Sequence, residues 1–134
     1  MPTYATDTHS ILWHLTLSTR LSPTAAQLFD EADSGRHIIL IPAIVLIETT
    51  YLCEKGKVPR HCFSDLVLYI RENPSNYRVA PLDLQTSLYV SIIPRQRIPN
   101  MPDRIIAATA LRYNVPLITK DEHLYSYKML ATVW

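Results

Sequence analysis

Short apolar runs alternate with segments of helical periodicity along the whole chain, the ordering that builds a parallel sheet covered by helices on both faces. Thr3 to Thr6 is the first run, and Thr8 to Leu17 then sets Ile11, Leu12 and Leu15 at helical spacing, so a strand stops at Asp7 and a helix follows. Ser22-Pro23 offers an N-cap with proline at the first helical position, and Gly35 a left-handed stop, which predicts a helix from about 23 to 34. Arg36 to Ile41 has the continuous β-branched character of a strand buried on both faces. Pro42 starts a helix that runs to about Lys55 and breaks over Lys55 to Pro59. Phe63, Leu66, Val67 and Ile70 mark an amphipathic helix from Arg60 to about Glu72, stopped before Pro74. Tyr77 to Leu82 reads as a third strand, and Asp83 caps a short helix to about Ile92. The loop Pro94 to Asn100 leads to a helix opening at Met101-Pro102. Val115 to Thr119 is a fourth strand, Asp121 to about Tyr127 a short helix and Ala131 to Trp134 a fifth strand at an edge.

Composition narrows the function. A chain of 134 residues fits one domain over 1–134, and its 48% hydrophobic and 19% charged residues exclude a disordered polyelectrolyte. With glycine only at Gly35 and Gly56, no glycine-rich phosphate loop can be written, which removes dinucleotide and NTPase enzymes of those kinds. Cys53 and Cys62 lack metal-ligand spacing and read as reduced thiols. The start carries no basic and apolar signal segment, and no run approaches the roughly 18 apolar residues of a membrane span, so a soluble, cytoplasmic protein is expected. Thirteen Lys and Arg against twelve Asp and Glu give a net charge of +1, which by itself announces no nucleic-acid binder.

The most informative residue is Glu48, because Ile44, Val45, Tyr51 and Leu52 surround it at helical spacing and put its carboxylate in the apolar stripe. A lone buried carboxylate costs several kcal/mol unless paired, protonated or bound to a cation, so either an arginine or an ion should stand opposite it. Asp7 ends the first strand, where open parallel sheets place ligands, but it would equally cap the helix at Thr8. Asp121 follows the fourth strand with the same two readings. Asp103 lies in the first turn of its helix, where any carboxylate is favoured. If strands one and four are neighbours at the sheet centre, Asp7, Asp121 and the helix end bearing Asp103 share one edge, and Glu48 enters from the helix after strand two. Four carboxylates so close raise one another's pKa unless a divalent cation neutralises them. Oxygen donors without His or Cys select Mg²⁺ or Mn²⁺, which can acidify water and stabilise charge on a phosphodiester under in-line attack.

Four blocks carry a resemblance: Asp7-Thr8-His9-Ser10-Ile11-Leu12-Trp13, Ile41 to Glu48, Pro102-Asp103-Arg104-Ile105-Ile106-Ala107-Ala108-Thr109-Ala110, and Pro116-Leu117-Ile118-Thr119-Lys120-Asp121. In this order the chain resembles the PIN-domain ribonucleases, and within them the VapC-type toxins of toxin–antitoxin pairs. The resemblance spans nearly the whole chain. It implies a three-layer α/β/α sandwich around a parallel sheet of four to five strands, a Mg²⁺- or Mn²⁺-dependent endoribonuclease acting on RNA, a VapB-like antitoxin partner and a homodimer. By that resemblance Asp7, Glu48, Asp103 and Asp121 match the acidic metal site, and Thr119 a hydroxyl that orients the last acid or a water. Where many relatives have a further acid, this chain has Asn100, which leaves one metal or two open.

Other residues have plainer readings. Arg104 reads first as a structural ion-pair former and second as a phosphate contact. His9 and His14, five residues apart on a helix, face different ways and make no metal pair. Trp13 reads as core or interface rather than a base-stacking platform. Lys55, Lys57 and Arg60, with Arg95 and Arg97, form two basic loop clusters, either solvated charge or a track for an RNA backbone. An aspartyl-phosphate enzyme would need a second Asp where His9 stands, and a receiver domain would need paired acids after strand one. A catalytically silent PIN-like module binding RNA or protein would be expected to have lost some acids, and all four are present. With those four neutralised, thirteen cations face eight acids, a balance of +5, so the near-zero total averages an acidic pocket and a basic rim.

Overall fold

A computed structural model describes residues 1–134. The elements are β1 (Thr3–Thr6), α1 (Thr8–Leu15), α2 (Pro23–Asp33), β2 (Ile38–Pro42), α3 (Ala43–Glu54), α4 (Cys62–Glu72), β3 (Tyr77–Ala80), α5 (Leu84–Ile92), α6 (Met101–Tyr113), β4 (Leu117–Ile118), α7 (Glu122–Tyr125) and β5 (Thr132–Val133). The five strands form one parallel sheet in the order β3-β2-β1-β4-β5. The chain moves from β1 through β2 to β3, then returns past them to β4. With right-handed crossovers, α1 to α4 therefore cover one face, and the return pair α5 and α6 the other. The strand order reverses between β1 and β4, where Ala5 is in register with Leu117 and Thr6 with Ile118. Ligands of open parallel sheets bind outside the carboxyl ends of strands at such a reversal.

The predicted elements all occur, and local chemistry accounts for their ends. Ser22 Oγ accepts the Ala25 N–H at 3.1 Å with Pro23 at the first helical position, and Gly35 follows α2 at φ +83°. Asp83 caps α5 by accepting from the Thr86 N–H. Helix α1 ends at Leu15, two residues before the expected Leu17. Leu17 itself adopts φ +54°, its N–H meeting the His14 carbonyl while the Ser18 N–H meets that of Trp13. This is the left-handed helix end usually given to glycine, filled here by leucine. Strand β3 stops at Ala80 because Pro81 has no N–H to offer the ladder.

The core gathers fully buried Ala5, Ile39, Ile41, Leu117 and Ile118 from the sheet with Ile11, Phe29, Val45 and Leu66 from one helix layer. The buried run Ile105 to Ala110 of α6 packs from the other side. The expectation that β2 is buried on both faces is corrected in part: Ile38 and Leu40 are only half-buried. They line an open trough of about 440 Å³ with Val79, Tyr113 and Val115, because the return helices cross the sheet away from its β3 edge. The two helix layers touch where α3 meets α6. That contact brings Glu48 and Asp103 towards the carboxyl end of β1.

Candidate active site

At the β1–β4 reversal a cavity of about 700 Å³ opens, and Asp7, Glu48, Asp103 and Asp121 all line it. Asp7 is both a helix cap and a wall of the cavity, so its two readings hold together. Its Oδ1 accepts the Ser10 N–H at 2.9 Å, and its Oδ2 accepts the Thr119 hydroxyl at 2.5 Å. The carboxylate is nearly enclosed. Burial pushes its pKa up against the opposing pull of the Ser10 and Thr119 hydrogen bonds.

Thr119 ties two acids together. Its hydroxyl donates to Asp7 and accepts the Asp121 N–H at 3.0 Å, so one buried side chain sets both ends of the strand pair. Asp121 then caps α7 by accepting from the Leu124 N–H at 3.2 Å. Across the cavity the Thr8 hydroxyl donates to Glu48 Oε1 at 2.6 Å. Glu48 is half-buried, at the margin of the expected stripe. Ile44 and Val45 are buried, but Tyr51 is 57% exposed. The arginine partner considered for Glu48 is not there, since no Lys or Arg lies within 4.0 Å of any of the four carboxylates.

Asp103 stands in the first turn of α6, whose cap is Asn100. The Asn100 side-chain oxygen accepts the Asp103 N–H at 3.1 Å, and Asn100 also lines the cavity. Burial first, and then the charges of Asp121, Glu48 and Asp7, push the Asp103 pKa up to about 7. A carboxylate driven that far by burial and by three neighbouring acids marks a place where no cation is paired to them. The donor set is all oxygen, which suits a hard divalent cation.

Other residues take places their sequence context did not announce. Arg104 neither forms an ion pair nor reaches the cavity. Its guanidinium donates to the Val90 and Ile93 carbonyls at 3.1 and 2.8 Å, closing the carboxyl end of α5. That corrects both expectations for it. Trp13, expected in the core or an interface, lines the acidic cavity, as do His9, Arg20, Lys120 and Glu122. Arg20 and Lys120 are exposed cations at its rim. Of the two basic loops, only that of Arg95 and Arg97 approaches: Arg97 shares a neighbouring hollow with Glu122 and His123. Sequence context does not single out Thr8 or Lys120, although each adjoins an acid, Asp7 and Asp121. His14, Asp30 and Asp33 form a second cluster, with ligand atoms within 4.8 Å of one another. There Asp33 accepts from Tyr69, from Tyr77 at 2.5 Å and from His14 Nε2 at 2.9 Å, so its oxygens are already satisfied and the group ties α1, α2, α4 and β3 together. No helix is long and apolar enough to cross a membrane.

Comparisons with known proteins give the family and the fold. The family model described as PIN domain matches residues 4–129. The chain is similar to Ribonuclease VapC22 of Mycobacterium tuberculosis (strain ATCC 25618 / H37Rv), 25% identical over a 136-residue alignment covering the whole of both chains. Its fold is similar to DNA-bound VapBC from Salmonella typhimurium, with a TM-score of 0.72, 17% identity and 99% and 98% of the two chains covered. It is also similar to VapBC2 from Rickettsia felis bound to a DNA fragment from their promoter, with a TM-score of 0.71, 19% identity and 98% and 97% covered.

Proposed function

Since the chain belongs to the PIN domain family, we propose that it is a metal-dependent endoribonuclease, the toxin of a toxin–antitoxin module, which hydrolyses RNA phosphodiesters. The observation that carries the reading is the convergence of Asp7, Glu48, Asp103 and Asp121 on one cavity with no Lys or Arg paired to them. These four side chains would hold Mg²⁺ or Mn²⁺. A bound ion would supply a more acidic water and a counter-charge for the phosphate.

The protein's own contribution is positioning. Thr119 and the Ser10 N–H hold both oxygens of Asp7, and Thr8 holds Glu48, so the acids are oriented before any ion arrives. Asn100 secures the first turn of α6, which presents Asp103 together with the positive end of the helix. Arg20 and Lys120 at the rim, with Arg97 beyond Glu122, attract the phosphates of an RNA strand. No side chain serves as a covalent nucleophile.

A VapB-like antitoxin is the expected partner, supported by the likeness to VapC22 and to the two VapBC assemblies. Leu84, Leu88 and Ile92 lie exposed along one side of α5 and offer apolar surface for association, including a homodimer. The test is cleavage of single-stranded RNA. Cutting is expected with Mg²⁺ or Mn²⁺ and not in EDTA, and Asp7→Asn or Asp103→Asn should abolish it while the circular dichroism spectrum stays native. Full activity in either variant overturns the site assignment. RNA binding that no divalent ion converts into cleavage would favour a silent RNA-binding module.

A further inference from the structure

We propose that Trp13 is a nucleobase platform: an RNA strand crossing the acidic cavity stacks one base on its indole ring, while Lys120 leaves that ring for the RNA's phosphates. This rests on the nuclease reading and names the part of the substrate that the site grips beside the reacting phosphate.

Trp13 is the sole hydrophobic side chain among the eleven that line the cavity, and it is half-buried rather than enclosed in the core. It follows the cap residue Asp7 by six positions on α1, about 9 Å along the axis at about 1.5 Å per residue. The ring is held from the sides. Trp134 meets it at 6.0 Å between centroids with the planes 64° apart, and His9 at 5.6 Å and 51°. What lies over it is an exposed cation, Lys120 Nζ, 5.1 Å from the ring centroid.

An exposed cation over an aromatic ring is bound more weakly than a base stacked on it, so an incoming base displaces Lys120. The released ammonium is then beside a polyanion, where it gains a phosphate partner. The exchange favours single-stranded RNA, whose bases can splay out, over a duplex whose bases stay stacked. It discriminates by the presence of a base rather than by its identity, because every base has a π face.

The chain has two tryptophans, so Trp134→Phe leaves Trp13 as the single indole reporter. In an Asp103→Asn, Trp134→Phe protein with Mg²⁺, oligoadenylate should quench Trp13 fluorescence. An abasic oligomer of equal length, carrying the phosphates alone, should not. In the same background Trp13→Ala should weaken oligoadenylate binding roughly 10- to 100-fold, with abasic binding unchanged. Trp13→Tyr, which keeps an aromatic ring, should recover most of the affinity and guards against a folding defect. Equal quenching by the abasic oligomer, or oligoadenylate affinity indifferent to Trp13→Ala, overturns the platform. So does a Trp13→Ala protein that has lost only a protein partner. Wild-type cleavage is scored separately: cleavage without base stacking removes the platform alone, and stacking without cleavage removes the nuclease reading alone.

Discussion

Replacing Asp103 by Asn removes a charge that the metal-free fold holds against itself. The native pKa is pushed up to about 7 from an ordinary 3.8, by burial first and then by Asp121, Glu48 and Asp7. Between those two values the folded protein keeps a proton that the unfolded chain has released. Its stability therefore falls as pH rises through that window, and the loss is complete above about pH 8. Three units correspond to about 4 kcal/mol, and because the group is only half-buried, solvent screening reduces this to about 2 kcal/mol. The isosteric Asp103→Asn protein in EDTA at pH 8 should be more stable by that amount. At about 2.1 cal/mol/K per residue, a chain of this size should melt about 7 °C higher. The gap should narrow as pH falls towards 4. Excess Mg²⁺ should raise the melting temperature of the wild type more than that of the variant, because the ion relieves in one what the substitution has already removed from the other. Thermal denaturation followed by circular dichroism, in EDTA and in Mg²⁺, measures all of this. A variant no more stable than the wild type at pH 8, or a gap that ignores pH, would refute the view that the four acids repel one another in one pocket.

Three further outcomes follow from particular contacts. Thr119→Val strips Asp7 of a donor and the Asp121 N–H of its acceptor. Isothermal titration should show Mg²⁺ affinity reduced about 10- to 100-fold, and an unchanged affinity would mean that this hydroxyl does not orient the acids. Leu17→Gly relieves a left-handed leucine at the end of α1 and should stabilise the protein by about 1 kcal/mol in urea denaturation; destabilisation would contradict the strain. Arg104→Met uncaps the Val90 and Ile93 carbonyls and should cost about 2 kcal/mol of stability, while RNA affinity per folded molecule stays constant. A selective loss of RNA affinity would restore the phosphate role that the geometry denies it.

Most of the fold was legible in the sequence because its signals are local. Ser22-Pro23, Asp83 and Asp121 announce helix starts through side chains that reach backbone N–H groups three residues on, and that chemistry acts wherever the segment sits. The early end of α1 was not legible, since leucine fills a position where glycine would have signalled a stop. The four acids could be named from their motifs, and Thr119 with them. Their partners could not all be named. Thr8 stands forty positions from Glu48, and the two meet only because α1 and α3 pack together.

The linear chain by itself therefore determined the alternation of strands and helices, the caps and the four candidate acids, though not Glu122 beside them. These depend on periodicity and on neighbours within a few residues. Tertiary structure alone decided that β1 and β4 lie side by side, that the acids share a cavity with no Lys or Arg paired to them, that Arg104 closes α5, and that Trp13 faces the site instead of the core. Each is a relation between segments far apart in sequence, and helical spacing reveals which residues share a face but not what that face will meet.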